Sequence, residues 1–127
     1  PRVLLAEDNE TNRLVALSML ETVGIRADVA DNGAQALDAV RARPYDVVLM
    51  DIHMPEMDGL AAARAIRALP GQAGRVPIVA LTANAFQSHA DECRAAGMND
   101  FLSKPYRKAA LLDAIARQLG LAERAAE

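Results

Sequence analysis

The chain alternates between short, largely apolar runs and longer stretches in which apolar residues recur every three or four positions. Runs at about 3–6, 26–30, 46–50, 76–81 and 100–102 have the length and aliphatic character of strands. Those at 47–50 and 78–81 carry no polar residue, as strands covered on both faces do. Between the runs, Ala16, Met19, Leu20 and Val23 follow helical spacing, with Gly24 as a stop signal. Asp31 and Asn32 can cap a second helix, with Ala36, Leu37 and Val40 inward and Pro44 beyond its end. A third helix is expected from Gly59 to Leu69, halted by Pro70-Gly71, and a fifth presents Leu112, Ile115 and Leu119 ahead of Gly120. The fourth, at about 85–96, has only Phe86, Ala90 and Cys93 in its stripe, with Gly97 as its stop. So thin a stripe predicts weak anchoring.

Five strand and helix pairs in strict alternation predict an α/β fold, a parallel sheet with helices on both faces and right-handed crossovers. The 127 residues suit one domain, expected over 1–120, with 121–127 extending the last helix or fraying.

Composition narrows the setting. A single Cys93 excludes an internal disulfide and reads as a small core hydrophobe. No segment has the length and purity of a membrane span or the charge pattern of a signal peptide, so a cytoplasmic domain that does not insert into membranes is expected. A formal charge of -3, no basic run and only four aromatic residues leave no footprint for direct nucleic-acid binding. Pro1-Arg2 leads straight into the first strand, and the chain is expected to be a piece of something longer.

The chemistry lies where the apolar runs end. Asp51 follows Val47-Val48-Leu49-Met50 and precedes a loop marked by Pro55 and Asp58-Gly59; Glu7-Asp8 follows Val3-Leu4-Leu5-Ala6; Lys104 follows Phe101-Leu102-Ser103. Strand ends of open parallel sheets are where ligands bind. Three carboxylates brought together there repel, each pair by about 4 kcal/mol at 4 Å and an effective dielectric near 20, so a positive group belongs among them. Lys104 is one candidate, in a chain whose other basic residues, Lys108 apart, are all arginine. A hard divalent cation, Mg²⁺ or Mn²⁺, is another, whereas His53, His89 and Cys93 lack a zinc-site spacing. A carboxylate beside such a metal and an ammonium is equipped to attack a phosphoryl group. Thr82, closing Val79-Ala80-Leu81, either donates to a phosphoryl oxygen at the same edge or caps the fourth helix.

In this order and spacing, Leu-Leu-Ala-Glu-Asp-Asn (4–9), Asp-Asn-Gly with Ala-Leu (31–37), Val-Leu-Met-Asp-Ile-His-Met-Pro-Glu-Met-Asp-Gly (48–59), Ile-Val-Ala-Leu-Thr-Ala-Asn-Ala (78–85) and Phe-Leu-Ser-Lys-Pro (101–105) resemble the receiver domains of two-component response regulators and hybrid histidine kinases. The resemblance runs from about Arg2 to Leu119. It implies a flavodoxin-like, doubly wound sheet in the order 2-1-3-4-5 flanked by five helices. It makes Asp51 the phosphoacceptor, with Glu7, Asp8, Asp51 and the backbone carbonyl of His53 holding Mg²⁺ or Mn²⁺. Thr82 and Lys104 would hold the phosphoryl oxygens, and Thr82 with Phe101 would switch a surface formed by the fourth helix, fifth strand and fifth helix. Two departures are mild: Glu7 replaces the frequent aspartate, and phenylalanine stands at the switch in place of tyrosine.

The implied protein is not an enzyme in the usual sense, although it promotes its own phosphorylation and dephosphorylation. Its expected partners are a histidine kinase dimerisation domain or a histidine phosphotransfer domain, with a weak or phosphorylation-dependent dimer. The expected setting is bacterial cytoplasm, where a membrane-bound sensor kinase could tether the domain. Asp8-Asn9-Glu10-Thr11-Asn12-Arg13-Leu14-Val15 resembles receivers fused to hybrid kinases most. His53, two residues past Asp51, and Asn84, two past Thr82, are expected to tune dephosphorylation. Leu14 and Leu17, with Pro105 and Tyr106, form the expected docking patch for the phosphodonor. Two other readings stand beside this one: a phosphatase of the haloacid dehalogenase type, disfavoured because His53 stands where those enzymes carry a second aspartate, and a phosphorylation-independent interaction module.

Overall fold

In a computed structural model the chain forms a five-stranded, all-parallel sheet in the order β2-β1-β3-β4-β5. The structure describes residues 2–54, 57–82, 87–104 and 106–126, the side chains of 87–90 and 121–126 excepted. The strands are β1 (Val3–Ala6), β2 (Ala27–Ala30), β3 (Val47–Asp51), β4 (Ile78–Thr82) and β5 (Asp100–Ser103). The helices are α1 (Glu10–Glu21), α2 (Gly33–Ala42), α3 (Gly59–Arg67), α4 (Gln87–Ala95) and α5 (Lys108–Ala126), with a 3-10 turn at Gly71–Arg75. This is the doubly wound, flavodoxin-like α/β fold that the alternation and the resemblance predict.

Successive strand residues point to opposite faces, so β1, β3 and β4 feed two cores. Leu4, Val48, Met50 and Ile78 pack with Ala36 and Val40 of α2 and Ala62, Ala63 and Ile66 of α3. Val3, Leu5, Leu49, Val79 and Leu81 pack with Ala16 and Leu20 of α1 and Leu111, Ala114 and Ile115 of α5. Each large aliphatic side chain that is fully buried, Leu4 and Leu49 among them, contributes roughly 1.5–3 kcal/mol. The buried alanines let the helix backbones approach the sheet closely.

Helix starts follow the polar signals. Asn9, Asn32 and Asp58 each accept a hydrogen bond from the backbone N–H three residues on, at Asn12, Gln35 and Ala61. Asp31 is not the cap of α2; its carboxylate pairs instead with Arg13 of α1.

Helix ends depart from expectation at two places. α1 ends at Glu21, and Val23 is exposed rather than part of the core stripe. The chain wraps through Gly24, at φ 75°, so that the Ile25 N–H reaches the Leu20 carbonyl and Ile25 takes the buried place. α3 stops at Arg67, two residues short of Leu69. α5 runs through Gly120 to Ala126. Gly120 is absent from the positive-φ residues, and the alanines, glutamate and arginine beyond it are good helix formers. The buried stripe of α5 is Leu111, Ala114, Ile115 and Gln118, displaced from the expected Leu112 and Leu119, which lie at its margins. In α4, Cys93 is buried as expected; Phe86 and the side chain of Ala90 lie outside the described residues.

Candidate functional site

At the carboxyl end of the sheet, adjacent strands β1 and β3 deliver their polar residues side by side. The register pairs Ala6 with Met50, so Glu7 and Asp51 emerge next to each other, both buried, while Asp8 is exposed beyond them. Carboxylate oxygens of Glu7, Asp8 and Asp51 all lie within 4.8 Å of one another. Three hard oxygen donors, two of them shielded from water, fit a divalent cation of the Mg²⁺ type.

β5 brings the countercharge. The Lys104 backbone N–H donates to the Thr82 carbonyl at 2.6 Å, extending the β4–β5 ladder by one residue past Ser103. That fixes the base of the lysine side chain at the sheet edge. Its Nζ then lies 3.1 Å and 3.3 Å from the two Glu7 carboxylate oxygens and 3.2 Å from Asp51 Oδ2. The other oxygen, Asp51 Oδ1, accepts the His53 backbone N–H at 3.2 Å.

Burial dominates the electrostatics of Glu7, with the hydrogen bond to Asp51 next; together they push its pKa up to about 7. The Lys104 ammonium pulls the other way and does not outweigh them. Tyr106 is half-buried among the residues of the second core, and its phenol is pushed up to about 12, first by burial and then by the charges of Glu7 and Asp51. It therefore packs within electrostatic reach of the acidic cluster.

Thr82, fully buried, ends β4 and shares a sheet face with Ala80, whose partner on β5 is Phe101. Phe101 is half-buried against the first core, diagonal to Thr82. The His53 side chain is exposed beside Asp51. Leu14 is exposed on α1, whereas Leu17 is half-buried against the second core. Asn84 and Pro105 lie outside the described residues.

Two glycines hold the site in ways their sequence context only hints at. A Cβ on Gly59 would collide with the Asp51 carbonyl oxygen, and one on Gly33 with that of Met57. Their N–H groups bond the carbonyls of Ile52 and Met57, at 2.8 and 3.0 Å, so α3 and α2 clamp the loop leaving β3. Asp58-Gly59, read as a turn, is instead the cap and first residue of α3.

The response regulator receiver domain family matches this chain over residues 3–116. The chain belongs to that family. Among its relatives, Probable histidine kinase 1 of Oryza sativa subsp. indica is 41% identical over 134 residues, covering 82% of this chain and 14% of that protein. Sensor histidine kinase GacS of Pseudomonas protegens is 39% identical over 126 residues, covering 98% of this chain and 14% of that protein. The receiver thus spans about 14% of the length of these relatives. Among solved structures, the receiver domain of sensor histidine kinase PA1611 from Pseudomonas aeruginosa, with magnesium coordinated in its active-site cleft, superposes with a TM-score of 0.87 at 43% identity, covering 94% of this chain and 97% of that one. Chemotaxis protein CheY4 of Vibrio cholerae gives a TM-score of 0.86 at 29% identity, covering 93% and 98%. Among the described residues no helix is long and apolar enough to cross a membrane.

Proposed function

We propose that Asp51 accepts a phosphoryl group from a phosphohistidine and that the resulting acyl phosphate switches the surface around α4, β5 and α5. The observation that carries this reading is Lys104 Nζ, bridging Glu7 and Asp51 at 3.1 and 3.2 Å beside Asp8. One oxygen of Asp51 is oriented by the His53 N–H, and the other faces Lys104. In-line attack on phosphorus needs a carboxylate held in this way, and the ammonium moves from the carboxylates to the incoming phosphoryl oxygens as charge builds on them.

Glu7, Asp8, Asp51 and the His53 carbonyl would hold Mg²⁺, or Mn²⁺ in its place; when bound, the cation neutralises phosphoryl charge. Thr82 donates its hydroxyl to a phosphoryl oxygen, and its displacement frees space on the face it shares with Phe101, which turns inward. The switch then rests on packing alone, since phenylalanine has no hydroxyl to lock the new position.

Receiver domains interact with histidine kinases or phosphotransfer proteins in two-component systems. The donor proposed here is the dimerisation domain of a histidine kinase or a phosphotransfer domain, docking a helical face on exposed Leu14 together with Pro105 and Tyr106. Leu17 supports that surface from beneath. The parent protein is a hybrid histidine kinase or a multidomain regulator of bacterial cytoplasm, and dimerisation of the receiver is weak or depends on phosphorylation. His53 and Asn84 set the lifetime of the acyl phosphate by contacting the attacking water; an unchanged dephosphorylation rate after exchanging both would remove that role. The phosphoacceptor itself is tested by labelling with a small acyl phosphate and Mg²⁺, wild type beside Asp51→Asn.

A further inference from the structure

The opposite edge of the sheet carries a second concentration of charge, of the other sign. The register pairs Val3 with Ala27, so Arg2 and Arg26, each one residue earlier, sit next to each other at the amino ends of β1 and β2. They line a cleft of about 250 Å³ with Asp28, Arg43 and Tyr45. Asp28 accepts the Tyr45 hydroxyl at 2.7 Å and pairs with Arg43 at 3.6 Å. Asp46 is engaged by the backbone N–H of Arg2 at 2.7 Å. Among the described residues, neither the Arg2 nor the Arg26 guanidinium has an ion-pair partner.

Three guanidiniums therefore line the cleft with one carboxylate, Asp28, while a second, Asp46, is held against the Arg2 backbone, in a chain whose formal charge is -3. Like charges on neighbouring strand positions are destabilising, and an anion seated between them reverses the sign of that interaction. Guanidinium groups present paired N–H donors that match two oxygens of a phosphoryl group, and Tyr45 adds a hydroxyl to the same wall. The geometry points to a second anion site, distinct from Asp51, that takes a compact multivalent phosphate such as a pyrophosphate or the phosphate chain of a nucleotide. Asp28 is its internal gate: it holds Arg43 and Tyr45 in the absence of ligand and releases them when phosphate oxygens replace its own. Because the strands are parallel, this cleft and Asp51 lie at opposite ends of the sheet, and both can be occupied at once.

The test is a titration of the isotopically labelled domain with inorganic pyrophosphate, without Mg²⁺, at constant ionic strength, followed by NMR. Saturable shifts at Arg2, Arg26, Arg43 and Tyr45 are expected, about tenfold weaker affinity in Arg26→Gln, where one charge-assisted contact is lost, and several-fold tighter affinity in Asp28→Asn. Arg26 is exposed, so its replacement leaves the fold intact as a control for the comparison. Shifts that fail to saturate, that sodium chloride reproduces, or that Arg26→Gln leaves unchanged would overturn the site. Binding to vesicles carrying phosphoinositide without saturable pyrophosphate binding would overturn the soluble ligand in favour of a lipid headgroup.

Discussion

Lys104 and Glu7 stand 97 positions apart in the chain, yet the lysine Nζ contacts both oxygens of the glutamate, at 3.1 and 3.3 Å, while also reaching Asp51. The ammonium offsets part of the repulsion between two buried carboxylates. The same contact ties β5 to β1 across the intervening strands at the site where chemistry is proposed.

Lys104→Met should slow labelling by a small acyl phosphate at least tenfold while leaving Mg²⁺ binding intact or tighter, since a competing cation is gone. Rapid-mixing measurements of labelling and a Mg²⁺ titration check the two halves separately. Equal losses in both would mean that the lysine only supports the fold.

The raised pKa of Glu7 gives the metal-free protein a defined pH response. Between the unfolded value of 4.5 and the folded value of about 7, the folded state holds more protons than the unfolded chain. The stabilisation is therefore full below pH 4.5 and is lost as pH rises through about 7. Mg²⁺ requires the ionised carboxylate, so its affinity should climb over the same interval. Urea denaturation at pH 5 and pH 8, with and without Mg²⁺, measures both trends, and Glu7→Gln should flatten the metal-free one.

Far from this site, Arg67 closes the amino end of β4. Its guanidinium donates to the carbonyls of Gly97, Gly74 and Val76 at 2.8, 3.0 and 2.7 Å, and to Asn99 Oδ1 at 2.7 Å. Arg67→Ala should cost about 2–4 kcal/mol in chemical denaturation, because several buried carbonyls lose their donor. Lysine should not restore it, having no planar fork. Gly97→Ala should be destabilising too, since Gly97 lies at φ 97° and a Cβ there would meet the Arg67 stem.

Leu14 and Leu17 separate docking from folding. Leu14 is 60% exposed, so Leu14→Asp should change stability by no more than about 0.5 kcal/mol and leave acyl phosphate labelling untouched, while transfer from a phosphohistidine donor falls at least tenfold. Leu17→Asp places a charge against the second core and should lower the melting temperature as well. Normal transfer by Leu14→Asp would dismiss the patch.

Much of this was legible in the sequence because the fold is written in local patterns. Apolar runs marked the strands, and the charged residues closing them, Glu7, Asp8, Asp51 and Lys104, marked the edge where a parallel sheet gathers them. Helix ends were less legible. Whether Val23 or Ile25 enters the core depends on the chain wrapping at Gly24. Arg67 left no sequence signal at all, since its partners are backbone carbonyls contributed by separate segments. The arginine cleft was hidden for a related reason: Arg2, Arg26 and Arg43 become neighbours only once the β1–β2 register is known.

The role of Asp51 as phosphoacceptor is tested most directly by intact-protein mass measurement after exposure to a small acyl phosphate and Mg²⁺. The wild type should gain one phosphoryl group, removable by hydroxylamine as an acyl phosphate is, and Asp51→Asn should gain none while keeping its fold. Labelling of Asp51→Asn to the wild-type level, or no labelling of the wild type with the metal bound, would contradict it.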